Sequence, residues 1–329
     1  MALRDQIGDK VAMVFPGQGS QFVGMGRAIF DASAAARRIF DQADGILGIP
    51  LSRLCFEGPA TELEDTINAQ PAILTVSAAT LEAIKERAQA AGEKITPIVV
   101  AGHSLGEFSA LVAAGALDFA TALPLVRERG RLMKEAGEER PGGMAAVIGL
   151  DEETLAAVCA EAEREGVIAI ANANCPGQTV ISGELGALVR AMDLAKARGA
   201  KRVARLGVSI ASHSPLMARA SAQLGDLVGK VPLRQPQVPI VANITGQVIT
   251  TADEIRQELA HQVERPVNWT RSVREMLNTG ASTFVEVGPG QVLSGLIRRV
   301  SRDVTTLAAS DLGLGLPSAD RPVRPTVGS

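Results

Sequence analysis

The sequence holds no tyrosine, one tryptophan, three histidines and three cysteines among its 329 residues. With no tyrosine, no phenol can serve as a proton donor or a base-stacking platform. The histidines, His103, His213 and His261, lie too far apart to form a metal-binding helical pair, so no metal site is expected. Cys55, Cys159 and Cys175 form no C-x-x-C pair, which predicts reduced thiols in a cytoplasmic protein. Basic residues are not in excess either: 33 Lys and Arg against 36 Asp and Glu leave a net charge of −3. That balance excludes a general nucleic-acid binder, which needs a basic surface. The opening stretch MALRDQIGDK lacks the apolar segment of a signal peptide. The long apolar stretch at 95–117 is broken by Pro97, His103, Glu107 and three glycines, so no membrane span is expected.

That same stretch, ITPIVVAGHSLGEFSALVAAGAL, carries the strongest chemical signal in the chain. Ile95 to Ala101 reads as a buried strand, and Leu105 to Leu117 as a helix with Phe108, Leu111, Val112 and Ala116 at helical spacing. Between them, Gly102-His103-Ser104-Leu105-Gly106 forms a G-x-S-x-G pattern at a strand-to-helix turn. A turn this sharp strains the serine backbone and lifts its Oγ above the sheet edge. The helix N-terminus beneath it favours developing negative charge. The plainer alternative makes Ser104 an N-cap and Glu107 its capping-box partner. A second glycine-rich turn, Gly17-Gln18-Gly19, is not a dinucleotide loop, because the third glycine of that fingerprint would fall on Phe22. Cys175 reads as a small buried filler.

Along the chain, a first strand at Val11–Phe15 precedes helices at 30–43 and 61–87, the latter interrupted at Gln70-Pro71. A helix at 120–136 follows the serine segment. From 144 to 208 the order becomes strand, helix, strand, strand, helix, strand, the ferredoxin-like split unit. Helix and strand then alternate again to a last helix at 292–300. The expected fold is α/β: a parallel-sheet, α/β-hydrolase-like large domain (1–138 and 210–309) with an inserted ferredoxin-like α+β subdomain (139–209). Residues 310–329 read as a flexible tail.

A serine at neutral pH needs a base. His103 adjoins the serine and should point away from it, and His261 lies mid-helix. His213, in VSIASHSPLM, follows the subdomain's last strand at the return to the sheet edge and is the best candidate. A serine hydrolase would add a carboxylate, for which Asp193 or Glu286 could serve. A non-catalytic scaffold is a third reading.

FPGQGSQ, AGHSLGEFSALVAAGAL, RERGRLMKEA, NANCPGQTVISG, ASHSPLM, PVNWTRSV and EVGPGQVLSGL occur in this order. Together they resemble the malonyl-CoA:acyl-carrier-protein transacylases of fatty acid synthesis, from about Val11 to Val300. The resemblance implies that Ser104 is acylated and His213 activates it. It implies that Arg129 pairs with the malonyl carboxylate and that the backbone amides of Gln18 and Leu105 form the oxyanion hole. Gln262 would orient the histidine through its backbone carbonyl, and Gln70 and Asn174 would line the pocket. From spacing alone Arg129 reads as a solvated helix arginine between Arg127 and Arg131. The partners implied are malonyl-CoA and acyl carrier protein, with no cofactor beyond the CoA thioester substrate, and a monomer. A polyketide-type acyltransferase with another extender unit is the near alternative. Phe108 and Cys175 depart from the tyrosine and serine common in relatives.

Overall fold

Short apolar runs without alternation mark strands covered on both faces. In a computed structural model that describes residues 3–314, β1 (Val11–Phe15) and β2 (Val99–Gly102) are buried at every position. They are followed by β3 (Gly142–Ile148), β4 (Ile168–Cys175), β5 (Gln178–Glu184) and β6 (Arg202–Arg205). The last strands described are β7 (Ile240–Val241), β8 (Val248–Ile249), β9 (Thr283–Glu286) and β10 (Thr305–Ala308).

Six of them form one sheet in the order β10-β9-β1-β2-β7-β8, parallel except for β8 against β7. The other four form an antiparallel sheet in the order β4-β5-β3-β6. The small sheet obeys the period of two. Ala145 and Val147 pack with Leu155, Val158 and Leu188 of the helices Glu152–Ala162 and Leu185–Ala197, while Met144 faces the other way with Ala171 and Val180. β4 is tied to the larger unit by two backbone bonds, Ala173 N to Val267 O at 2.9 Å and Val267 N to Ala171 O at 2.8 Å.

Register places the chemistry. Phe15 lies opposite Gly102, so the loops leaving β1 and β2 emerge side by side, and β7 adds a third loop on the other flank of β2. The carboxyl ends of adjacent parallel strands are where α/β sheets bind ligands. The two glycines of the serine turn are required by close approach. A Cβ on Gly102 would sit 1.9 Å from the Gly106 carbonyl, and one on Gly106 would sit 2.0 Å from the Phe15 carbonyl oxygen.

Several expected elements have different bounds. The segment 61–87 does not break at Pro71: the break falls at Asp65, which caps the long helix Thr66–Ala90 by accepting from Ile67 N at 3.1 Å. Pro71 lies just past the first turn, and burial between the helices Ala34–Leu47 and Phe119–Glu139 outweighs its missing donor. The helix after Ser104 ends at Ala113, and Gly115 turns away at φ 70°. Strand β2 starts only at Val99. Two helices, Ala252–His261 and Trp269–Asn278, lie between β8 and β9 where simple alternation predicts one, separated by the segment with Pro266. The short strands β8 and β10 add to the elements expected from the sequence. Of the expected tail 310–329, Leu312 and Leu314 are buried and Arg87 donates to the Leu312 carbonyl. The remainder, 315–329, lies outside the described residues.

Candidate active site

Ser104 has φ 51° and His213 φ 59°, the only non-glycine residues with positive φ among those described. Such a conformation costs about 1–3 kcal/mol and persists only when its surroundings over-determine it. Here they do. Ser104 N donates to Asn243 Oδ1 at 2.7 Å, and its carbonyl accepts from Gln262 Nε2 at 2.8 Å and Glu107 N at 3.0 Å. His213 N donates to Val263 O at 2.8 Å. Ser104 is therefore not an N-cap. Leu105 holds that position without a side-chain cap, and Glu107 turns inward instead of closing a capping box.

Ser104 Oγ lies 2.8 Å from His213 Nε2. On the far side of the ring, Nδ1 lies 2.9 Å from the Gln262 carbonyl and 3.0 Å from the Arg265 carbonyl. Carbonyls only accept, so Nδ1 carries the proton and Nε2 is free to receive one from the serine. Burial pushes the imidazole pKa down to about 3, with the Arg129 charge and then His103 adding to the effect. The ring is neutral at physiological pH.

Arg129 does not face solvent. Its side chain is 1% exposed, while Arg131 pairs with Glu128 and Glu135 on the outer side of the same helix. Arg129 Nη1 donates to Gln70 Oε1 at 2.7 Å, and Nη2 donates to Gln262 Oε1 at 2.9 Å and to Ser104 Oγ at 3.0 Å. The guanidinium also lies over the Phe108 ring, 5.7 Å from its centroid. No carboxylate pairs with it among the described residues, and its Nε has no partner. Burial lowers its pKa to about 10, opposed by the charge of Glu107, so it remains a cation. A buried guanidinium held only by neutral oxygens keeps its affinity for a ligand carboxylate.

The amides of Gln18 and Leu105 have no hydrogen-bond acceptor among the described residues. The Gln18 side chain is pinned by Thr66 Oγ1 at 2.8 Å, and Thr66 in turn receives Gln70 Nε2 at 2.9 Å. Asn174 Oδ1 lies 2.9 Å from His103 Nε2, so the His103 side chain points away from Ser104, beside Trp269. Asn174 thus meets the site through His103. His261 is at the surface, 2.8 Å from Glu264. The carboxylates a hydrolase triad would need are elsewhere. Asp193 pairs with Lys196 at the surface, and Glu286 accepts from Leu293 N and Ser294 N at a helix start. Cys175 is buried, and burial pushes its thiol pKa up.

Sequence reasoning missed three residues. Asn243 braces the turn from both sides, accepting from Ser104 N and donating to Gly102 O at 2.7 Å. Its position two residues after β7 was the available signal. Arg265 contributes a carbonyl that no side-chain pattern announces. Glu107 is a charge inside an apolar helix face, visible in the sequence, where only the plainer alternative gave it a part, as a capping-box partner.

Residues 12–312 match the family described as acyl transferase domain. A malonyl CoA-acyl carrier protein transacylase of Bacillus subtilis (strain 168) is 46% identical over 303 residues, covering 92% of this chain and 94% of that protein. The protein of that name from Escherichia coli (strain K12) is 44% identical over 308 residues, covering 94% and 96%. A solved complex of a type II PKS acyl-carrier protein with its malonyl-transacylase superposes with a TM-score of 0.88 at 40% identity, covering 93% and 97%. An acyl carrier protein S-malonyltransferase from Vibrio cholerae gives 0.85 at 40% identity, covering 91% and 96%. Likeness of this extent in both sequence and structure leaves one conclusion: the chain belongs to the malonyl CoA-acyl carrier protein transacylase family of acyltransferases.

Proposed function

We propose that this enzyme moves a malonyl group from malonyl-CoA to the phosphopantetheine thiol of an acyl carrier protein through an ester on Ser104. The single observation that carries the reading is a buried arginine with only neutral partners, 3.0 Å from the nucleophile. A malonyl ester on Oγ places its carboxylate two carbons beyond the ester carbonyl, within reach of that cation. An acyl group without a carboxylate would leave the cation unpaired, which is costly in a buried site.

The proposed steps use these contacts. Malonyl-CoA binds with its carboxylate on Arg129, which offsets the charge that depresses His213 and makes the imidazole a better base. Ser104 Oγ attacks the thioester carbon as its proton passes to His213 Nε2. The oxyanion is received by the Gln18 and Leu105 amides, each worth about 2.7–4 kcal/mol to the barrier. Collapse breaks the carbon–sulfur bond, and the departing CoA sulfur takes the proton from Nε2. The carrier thiol then gives its proton to Nε2 and attacks the ester, and the sequence runs in reverse. The Gln262 and Arg265 carbonyls hold the imidazolium in place of a triad carboxylate. Gln70 steadies Arg129, and Asn174 fixes His103 beside the pocket.

The finer fold reading belongs to the same proposal: a hydrolase-like large domain with a ferredoxin-like subdomain at 139–209, acting as a cytoplasmic monomer. The small sheet's strand order and its two covering helices support the subdomain name.

The test is intact mass after brief exposure to malonyl-, methylmalonyl- and acetyl-CoA, followed by holo carrier protein. A malonyl adduct on Ser104 that the carrier discharges faster than water supports transfer. Discharge by water at the same rate means a hydrolase.

A further inference from the structure

Glu107 takes no part in the steps above, yet it is 1% exposed and sits on the first turn of the helix that follows the nucleophile. Both of its oxygens are engaged: Oε1 accepts from Asn243 N at 3.1 Å and Oε2 from Gln262 Nε2 at 2.5 Å. Burial and the neighbouring Glu258 raise its pKa, while those donors and the Arg129 charge oppose the rise. No cation touches it directly among the described residues.

Gln262 is the link between this carboxylate and Arg129. Its Nε2 faces Glu107 and the Ser104 carbonyl, and its Oε1 accepts from Arg129 Nη2. A carboxamide can be turned end for end at almost no intrinsic cost, and turned this way it would set NH2 against a guanidinium, donor facing donor. Both Glu107 oxygens face N–H donors, so Glu107 and the Ser104 carbonyl together favour the orientation that presents oxygen to the arginine. Placing the carboxyl group one residue away has a second effect. A direct Glu–Arg pair would occupy the donors a ligand carboxylate needs, whereas a relay through a neutral amide attracts the cation and leaves it available.

We propose that Glu107 is a positioning residue for carboxylate-bearing acyl groups, acting through the side chain of Gln262 to hold Arg129 in its receiving orientation. The proposal rests on the reading of Arg129 given above and adds the residues that aim it. Because the arginine's contact is present in both the ground state and the transition state, the loss should appear in KM more than in kcat.

The experiment compares Ser104 acylation by malonyl-CoA and acetyl-CoA in the whole enzyme and in Glu107→Gln, Gln262→Met and Arg129→Ala. Gln262→Met keeps the backbone carbonyl that orients His213 and removes only the amide. Glu107→Gln and Gln262→Met should each raise the malonyl-CoA KM by about tenfold or more, the scale of one misplaced charge-assisted hydrogen bond. Acetyl-CoA kinetics of Glu107→Gln should stay within about threefold of the parent, whereas Gln262→Met, which also loses its bond to the Ser104 carbonyl, should slow both substrates but malonyl-CoA several-fold more. Equal loss for both acyl groups in the two variants, or no change in the malonyl-to-acetyl ratio, overturns the proposal. If Glu107→Gln fails to fold, Gln262→Met alone decides the relay by the same ratio. Arg129→Ala separates the two readings. An altered ratio there with none in the other variants removes the Glu107 role and leaves Arg129 standing. An unchanged ratio in Arg129→Ala removes both.

Discussion

The neutral, strongly depressed imidazole of His213 can be tested by lowering the pH of the free enzyme. An ordinary histidine titrates near 6.5 and would be about 97% protonated at pH 5, so a step that needs its free base would slow about thirtyfold. With the pKa at about 3, only about 1% is protonated at pH 5 and the step should hardly change. A fluorophosphonate is a suitable probe, because it is uncharged and its capture by Ser104 needs the same base. Its second-order inactivation rate reports groups of the free enzyme. The expected profile is flat from pH 8 to about 5. A limb centred near 6.5 would refute the argument from burial. Arg129→Ala should move the limb upward, since the Arg129 charge is the second cause of the depression after burial. Stability follows the same sign. The folded pKa lies below the unfolded one, so the unfolded chain binds the proton first. This contribution is present in full above pH 6.5 and is lost as the pH falls toward about 3.

Ser104→Ala should abolish the acyl adduct by intact mass, and an adduct that persists on Cys175 would reassign the nucleophile. Arg129→Ala should lower kcat/KM for malonyl-CoA by about two orders of magnitude or more, the cost of a buried carboxylate without its partner, while acetyl transfer holds or rises. Equal loss for both substrates would make the arginine structural. Asn243→Ala strands Ser104 N and Gly102 O together and should cost about 2–4 kcal/mol in urea unfolding, with the acylation rate falling as the turn relaxes. An unchanged urea midpoint would mean that the turn holds its shape without that brace.

The proposed nucleophile was legible because its motif falls where a buried strand meets a helix, and the proposed base because only three histidines compete. Arg129 was not legible from spacing. Arg127, Arg129 and Arg131 alternate along one helix, and what buries the middle one is the helix Thr66–Ala90, whose carbonyl at Thr66 lies 2.5 Å from a Cβ built on Gly130. Only the ordered motifs singled it out. Pro71 misled because a local rule was applied to a helix whose stability comes from packing. Asn243 and Arg265 act through bonds to residues remote in sequence, and periodicity carries no information about those.

The pairing of β1 has a consequence for how the chain reaches its native state. This strand comes first in the sequence, yet it lies inside the sheet, with β2 on one side and β9 on the other. On a ribosome its fully apolar edge must wait for nearly the whole polypeptide to emerge before the second partner can join. Such distant pairing slows folding and prolongs the exposure of an aggregation-prone edge. Yield of active enzyme should therefore depend on synthesis rate and chaperone supply, and fragments ending before β9 should be insoluble even though they contain both Ser104 and His213.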